Sequence, residues 1–465
     1  MDAVDDLLRL TADYAAQYLG GVDAQPVRPE ADVASLREAL GGPLPEEPVP
    51  AEEVVAALVD AAAPGLVGSA GSRYFGFVIG GALPAALAAD WLTSTWDQNA
   101  GLVAAGPSAA VVEEVAIAWL RELLGLPHDA SAAFVTGCQL AHVTALAAAR
   151  HHVLAAAGHD VNALGLQGAP RLRVVVGEER HVTVDRALRF LGIGSSQIDT
   201  VAADRQGRMR AELLPDVLAA SDAPTIVCAQ SGNVNTGAFD PLEPIADAAA
   251  AAGAWLHVDG AFGLWAAVSP RYRHLVAGVE RADSWATDAH KWLNVPYDSG
   301  IAFCAHPVSH RAAMTVRAAY LEQLDFDAGR DEVDWTPEFS RRARGFAVYA
   351  ALRSLGRSGI AGVVERCCEH ARTFADRLGA ADGVEILNDV VLNQVLVRFG
   401  DDDATTHEVV RRVQEEGTLW LSGTVWQGRG AMRISVSSWR TTAEDVERSA
   451  DAILAAAAAV SAAAR

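Results

Sequence analysis

Two stretches decide how this chain is read: "WLHVDGAFG" at Trp255–Gly263 and "ADSWATDAHKW" at Ala282–Trp292. The first is a short apolar run that ends at Asp259 and the small Gly260; the second is an apolar-polar run that leads to Lys291. Lys291 follows Asp259 by 32 residues (291 minus 259), room for one helix and one strand. From Ser131 onward the runs "AAFVTG", "LRVVVG", "PTIVCAQ" and "GIAFCAH" repeat the pattern, with helical segments between them. Short apolar strands alternating with helices predict an α/β domain whose parallel sheet is covered on both faces. Ligands of such sheets sit at the carboxyl ends of the strands, which is where Asp259 and Lys291 fall.

The flanks read differently. The segment before about Ala70 combines helical patterns with the Pro-rich break "GGPLPEEPVP" and resembles an arm more than a core. After about Arg341 come the long helical stretch "RRARGFAVYAALRSLG" and the strand-like runs "QVLVRF" and "AMRISVSSW", a smaller α+β domain. The expected division is therefore 1–90 for an N-terminal helical segment, 91–340 for the large domain and 341–465 for the small one.

Composition excludes several functions. With 37 Lys+Arg against 59 Asp+Glu, the net charge of -22 repels a phosphate backbone, and no basic run offsets it, so nucleic acid is not an expected partner. The N-terminus carries acids where a secretory signal needs a basic region, and no stretch has the roughly 18 to 20 apolar residues of a membrane span. Five cysteines, odd in number and without CxxC spacing, argue against a disulfide framework or a zinc site. A cytoplasmic protein with reduced thiols and no metal is expected.

Chemistry gathers at the strand ends. In "VTGCQLAHVTALAAAR" a strand runs through Thr136 and Gly137 into an amphipathic helix, leaving the N–H groups of Gly137, Cys138 and Gln139 to face an anion. Asp259, beside the small Gly260 and Ala261, caps a helix or holds a protonated ring nitrogen, with Ala261 leaving room for a flat ring. His181, shortly after "LRVVV", is structural or stacks on such a ring. A lysine desolvated at position 291 has a lowered pKa and can form a Schiff base. Together these four features are what pyridoxal phosphate requires: a phosphate cradle, a carboxylate, ring faces and an amine.

In "HVDGAFG", "DAHKW", "RHVTVDRAL", "GNVNTGAFDP" and "SRRARGFAVYAALRSLG", the chain resembles the group II pyridoxal-phosphate decarboxylases of aromatic and acidic amino acids, from about Arg73 to Thr442. The resemblance implies a type I aminotransferase-like fold with a mainly parallel seven-stranded sheet, and a homodimer with shared active sites. It implies decarboxylation of an L-amino acid, with Lys291 as the Schiff-base lysine, Asp259 on the pyridinium nitrogen, His181 stacked on the ring and Ala261 opposite. It also gives Cys138, Gln139, His290 and Ser284 to the phosphate, Asn233 to the phenolic oxygen and Arg433 to the small domain's side of the site.

Two segments depart from the family. Its loop tyrosine, which protonates the carbanion, has no counterpart here. The loop's only tyrosine, Tyr320, opens it, and counting from "SRRAR" puts Glu332 and Val333 at the family position. Without that acid, oxidation to an aldehyde or another lyase reaction on the same cofactor stands as an alternative; a non-catalytic cofactor-binding protein is a separate one. The segments "YFGFVIGG" and "WDQNAG" also differ, and an expected substrate pocket of Tyr74, Phe75, Gln98 and Asn99 is partly polar.

Overall fold

The computed structural model describes residues 2–316 and 329–463; Tyr320 lies outside them. The chain forms two compact units, one of residues 82–371 and 388–395, the other of residues 1–81, 372–387 and 396–465.

The larger unit is built on seven strands: β1 (Ser131–Val135), β2 (Arg173–Gly177), β3 (Ile198–Val201), β4 (Thr225–Gln230), β5 (Trp255–Asp259), β6 (Ser284–Asp288) and β7 (Gly300–Cys304). Their order is β1-β7-β6-β5-β4-β2-β3. From β6 to β3 all pairings are parallel, while β7 runs antiparallel to both β6 and β1. The reversal follows from chain length, because residues 289–299 between β6 and β7 are too few for the crossover that a parallel pair needs. That short connection carries Lys291.

Six of the seven strands are buried along their whole length, which is why they read as mainly apolar runs. The seventh, β3, is the half-exposed edge strand "IDTV", and its mixed polarity gives no apolar run to find. Helix α1 (Cys138–Ala156) packs on β5, β6 and β7 and against α2 (Val182–Phe190). Leu146, Ala147 and Ala148 of α1 join Val174, Val176, Val184, Leu188 and Ile226 in one cluster. The turn into α1 touches the start of β7: a Cβ on Gly300 would lie 2.4 Å from Gly137 Cα, so only glycine fits there.

In the second unit the sheet order is β10-β11-β9-β8, with β8 (Val384–Ile386), β9 (Gln394–Phe399), β10 (Ser422–Trp426) and β11 (Arg429–Ser435). Gln427 and Gly428, both with positive φ, form the two-residue hairpin turn between β10 and β11. The first 81 residues fold onto this sheet, since Arg73 Nε donates to Thr418 O (2.7 Å) and Phe75 N–H to Trp420 O (2.7 Å). No helix among the described residues is long and apolar enough to cross a membrane.

Candidate active site

The carboxyl ends of β5 and β6, the 289–299 connection and the first turn of α1 converge. Asp259 ends β5 and Asp288 ends β6, each a buried acid closing a buried strand. Asp288 Oδ2 lies 3.2 Å from Lys291 Nζ, while its Oδ1 accepts the Cys138 N–H at 2.6 Å and stands 3.4 Å from His290 Nε2. His290 Nδ1 accepts the Ser299 N–H at 3.1 Å, so the hydrogen of a neutral ring sits on Nε2 and points toward Asp288. The ring of Tyr297 stacks on His290 at 4.2 Å.

These contacts correct the expected lysine. Burial alone would lower the Lys291 pKa, but the negative charges of Asp288 and Asp259 outweigh it and hold the ammonium above its ordinary value. Asp259 is displaced in the opposite sense. Burial pushes its carboxyl up, yet His142, His181 and Lys291 hold it well below the usual carboxylate range. Its Oδ1 accepts the Ala261 N–H at 3.1 Å, and its Oδ2 lies 3.5 Å from His142 Nε2.

His181 caps α2. Its Nδ1 accepts the Thr183 N–H at 3.3 Å and lies 2.7 Å from Thr183 Oγ1. It lines one cavity with Asp259, Val184, Cys228 and Gln230. Gln139 Nε2 donates to Thr183 O at 3.2 Å and so ties the start of α1 to the His181 turn. Lys291, His290, Asp259, Ala261, Cys138, Gln139 and His181 thus belong to one neighbourhood of the larger unit.

Other expected residues have contacts of their own. Ser284 begins β6, at the strand end opposite Lys291, and its Oγ is engaged by Trp255 Nε1 and His257 Nδ1, both at 2.9 Å, so it is not a phosphate donor. The Cys138 N–H, expected on the phosphate, is taken by Asp288. Asn233 builds its own loop: Oδ1 accepts the N–H groups of Asn235 (2.8 Å) and Thr236 (3.1 Å), and Nδ2 donates to Glu179 O (3.1 Å). Gln98 Nε2 donates to Trp96 O at 2.8 Å, and Asn99 Oδ1 accepts the N–H groups of Gly101 and Arg341, each at 3.1 Å, which is loop-closing work. In the other unit Tyr74 stacks on Trp420 at 5.0 Å, Phe75 is core packed against Phe374 at 5.1 Å, and Arg433 is buried on β11. Phe75 is therefore a packing residue rather than a pocket wall.

Sequence reasoning missed Asp288, His142 and His257. Asp288 was within reach, because it ends an apolar strand as Asp259 does. The histidines gave no signal, since their partners are distant in the chain.

An aldehyde cofactor with a protonated ring nitrogen and a phosphate fits this donor set. Lys291 supplies the amine and Asp259 an ionised carboxylate. The first turn of α1 has no side-chain cap and leaves the Gln139 N–H for an anion. Among the described residues, Ser299 Oγ and Gln139 Oε1, both buried, have no hydrogen-bond partner. Asp288 is an extra anion beside the cradle, with Lys291 and His290 against it.

Residues 35–399 match the family described as the pyridoxal-dependent decarboxylase conserved domain. The chain is 28% identical to tryptophan decarboxylase 1 of Oryza sativa subsp. japonica, over 94% of its own length and 90% of that protein's. It is 30% identical to L-2,4-diaminobutyrate decarboxylase of Rhizobium meliloti (strain 1021), over 79% and 74%. Its fold is similar to the crystal structure of Oryza sativa TDC with PLP and tryptamine, with a TM-score of 0.91, 24% identity and coverage of 99% and 98%.

Proposed function

Because the chain belongs to the pyridoxal-dependent decarboxylase family, and is by that membership a pyridoxal 5'-phosphate-dependent amino-acid carboxy-lyase, we propose that Lys291 carries the cofactor and that the product is the amine of an L-amino acid. The observation that carries this reading is the convergence of Lys291, Asp288 and Asp259 at adjacent strand ends.

Bound pyridoxal phosphate supplies an electron-withdrawing ring that takes up the electron pair of the bond broken at the substrate's α-carbon. The chain's own residues set the conditions. Lys291, held as an ammonium by Asp288, must give up a proton before its amine can bond to the aldehyde, and the Asp288 carboxylate at 3.2 Å is the adjacent acceptor. Asp259, kept ionised, would hold the ring nitrogen and favour its protonated state. His181, anchored at the head of α2 by Thr183, would cover one face of the ring, and the small Ala261 would leave room at the other. The Gln139 N–H and Ser299 Oγ would hold the phosphate, with His290, whose Nε2 hydrogen faces Asp288, beside them.

Which amino acid is taken is a matter of the pocket. Tyr74, Gln98 and Asn99 remain the proposed polar contributors and Arg433 the proposed small-domain cation. The protein is proposed to be cytoplasmic, which its five buried cysteines, none in a disulfide, support, and a homodimer.

A panel of the protein amino acids and common non-protein ones, with products read by mass spectrometry, tests the reading. An amine and CO2 from at least one polar amino acid is the expected result. Turnover of tryptophan or dopa alone would sink the polar pocket. The second reading rests on Glu332 and Val333 falling, by count from "SRRAR", where the family has its tyrosine. In it, amino acid, O2 and water give aldehyde, CO2, ammonia and hydrogen peroxide, so peroxide and ammonia released with the CO2 would favour it.

A further inference from the structure

Behind Asp259 runs a buried polar chain that takes no part in the chemistry described so far. Trp255, His257 and Asp259 alternate along β5 and so share one face of the strand. The register pairs His257 with Ser284 on β6. Trp255 Nε1 and His257 Nδ1 each lie 2.9 Å from Ser284 Oγ, and His257 Nε2 lies 2.9 Å from His142 Nδ1 on α1. His142 Nε2 then reaches Asp259 Oδ2 at 3.5 Å and Cys138 Sγ at 3.4 Å. His142, His257 and Ser284 are wholly buried.

The chemistry of its two ends gives this chain a direction. An indole N–H only donates, and an ionised carboxylate only accepts. Ser284 Oγ accepts from Trp255, and its hydroxyl hydrogen has no acceptor among the described residues other than His257 Nδ1. His257 therefore carries its hydrogen on Nε2 and donates it to His142 Nδ1. His142 in turn carries its hydrogen on Nε2, aimed between Asp259 and the Cys138 sulfur. Every hydrogen points toward Asp259. Burial, which pushes the His257 pKa down to about 3, holds that ring neutral.

We propose that His142 is a positioning residue for the cofactor: fixed as the Nε2–H tautomer by the Trp255, Ser284 and His257 chain, it donates toward Asp259 and keeps that carboxylate ionised and aimed at the ring nitrogen. This rests on the reading of Asp259 as the ring-nitrogen partner. The alternative use of the cluster is a metal, because Cys138 Sγ, His142 Nε2 and an Asp259 oxygen all lie within 4.8 Å of one another. A metal needs a bare Nε2, and the direction of the chain places a hydrogen there.

Two measurements on the holoenzyme decide it. In the first, ring-15N histidine NMR at neutral pH, with His142→Gln and His257→Gln used for assignment, should show both rings neutral with the hydrogen on Nε2. A hydrogen on His142 Nδ1, or on both its nitrogens, overturns the proposal. In the second, His142→Phe should lower kcat by roughly 10-fold to 100-fold, as loss of an outer-shell partner does, with KM moving by less than about 2-fold. Cofactor affinity, read by absorbance titration after stripping, should weaken in parallel, and His142→Gln, whose amide N–H stands near the Nε2 position, should restore both. Wild-type kcat and affinity in His142→Phe would overturn the proposal, as would a His142→Gln variant no better than His142→Phe. If His142→Phe does not fold, the NMR spectrum and the His142→Gln kinetics settle the matter: near-wild-type kcat with Nε2–H rings supports the proposal, and either result reversed overturns it. An Asp259→Ala arm separates the two readings. If it matches wild type, the assignment of Asp259 fails and this proposal with it; if it is inactive while His142→Phe is normal, only the role of His142 falls.

Discussion

Asp288 sets the state of Lys291, and it does so from a position that strand burial dictates. A carboxylate at the end of a buried strand must find donors, and it finds three: the Cys138 N–H, His290 and Lys291. Asp259 solves the same problem with Ala261 N–H and His142, and its depressed pKa turns into a pH dependence of stability. A carboxyl whose folded pKa is depressed contributes stability that is fully present above its unfolded value, about 3.9, and is lost as pH falls through the folded value. The difference in unfolding free energy between wild type and Asp259→Asn should therefore be flat through neutral pH and shrink below about pH 4. Chemical denaturation across that range checks it; a difference that grew on acidification would contradict the account. At this scale the sequence is legible where a residue closes an apolar run, as Asp259 does, or stands near its partner in the chain, as Lys291 does three residues after Asp288. It is silent where the partner is remote: Cys138 and Asp288 are 150 residues apart, and His142 and His257 115.

Among the elements, legibility follows burial. The strands that are mainly apolar stand out because both faces are covered, whereas β3 is a half-exposed edge and hides in a polar context. Phe75 is open to misreading for the converse reason, since an aromatic beside a tyrosine reads equally as pocket or as core, and its packing on Phe374 decides for core. The tightest demand on an element is the contact between the α1 turn and the start of β7. A Cβ on Gly300 would meet Gly137 backbone at 2.4 Å, and backbone cannot step aside as a side-chain tip can. Gly300→Ala should cost about 1 to 3 kcal/mol, the range for overpacking, and should loosen cofactor binding because the same turn presents the Gln139 N–H. Thermal unfolding with and without the cofactor reads both effects; an unchanged Tm would show that the turn relaxes freely.

For the whole molecule, the charge of -22 keeps copies apart at long range, so association needs apolar surface. Helix Pro84–Trp96 supplies some, with Trp91, Leu92 and Trp96 exposed. Light scattering should give a mass of twice 48.8 kDa, and the mass of a single chain would contradict the proposed homodimer. The family and its cofactor chemistry could be read from a few motifs because they depend on the strand ends of one sheet. The substrate could not, because the relatives that the chain resembles act on amino acids as unlike as tryptophan and 2,4-diaminobutyrate.

The central claim is that Lys291 bonds the cofactor. Borohydride reduction of the holoenzyme fixes the cofactor to whichever amine holds it, and peptide mass spectrometry then locates the added mass. The account predicts that mass on the peptide containing Lys291, with no yellow absorbance and no adduct in Lys291→Ala. An adduct on another lysine, or yellow absorbance that survives in Lys291→Ala, would contradict it.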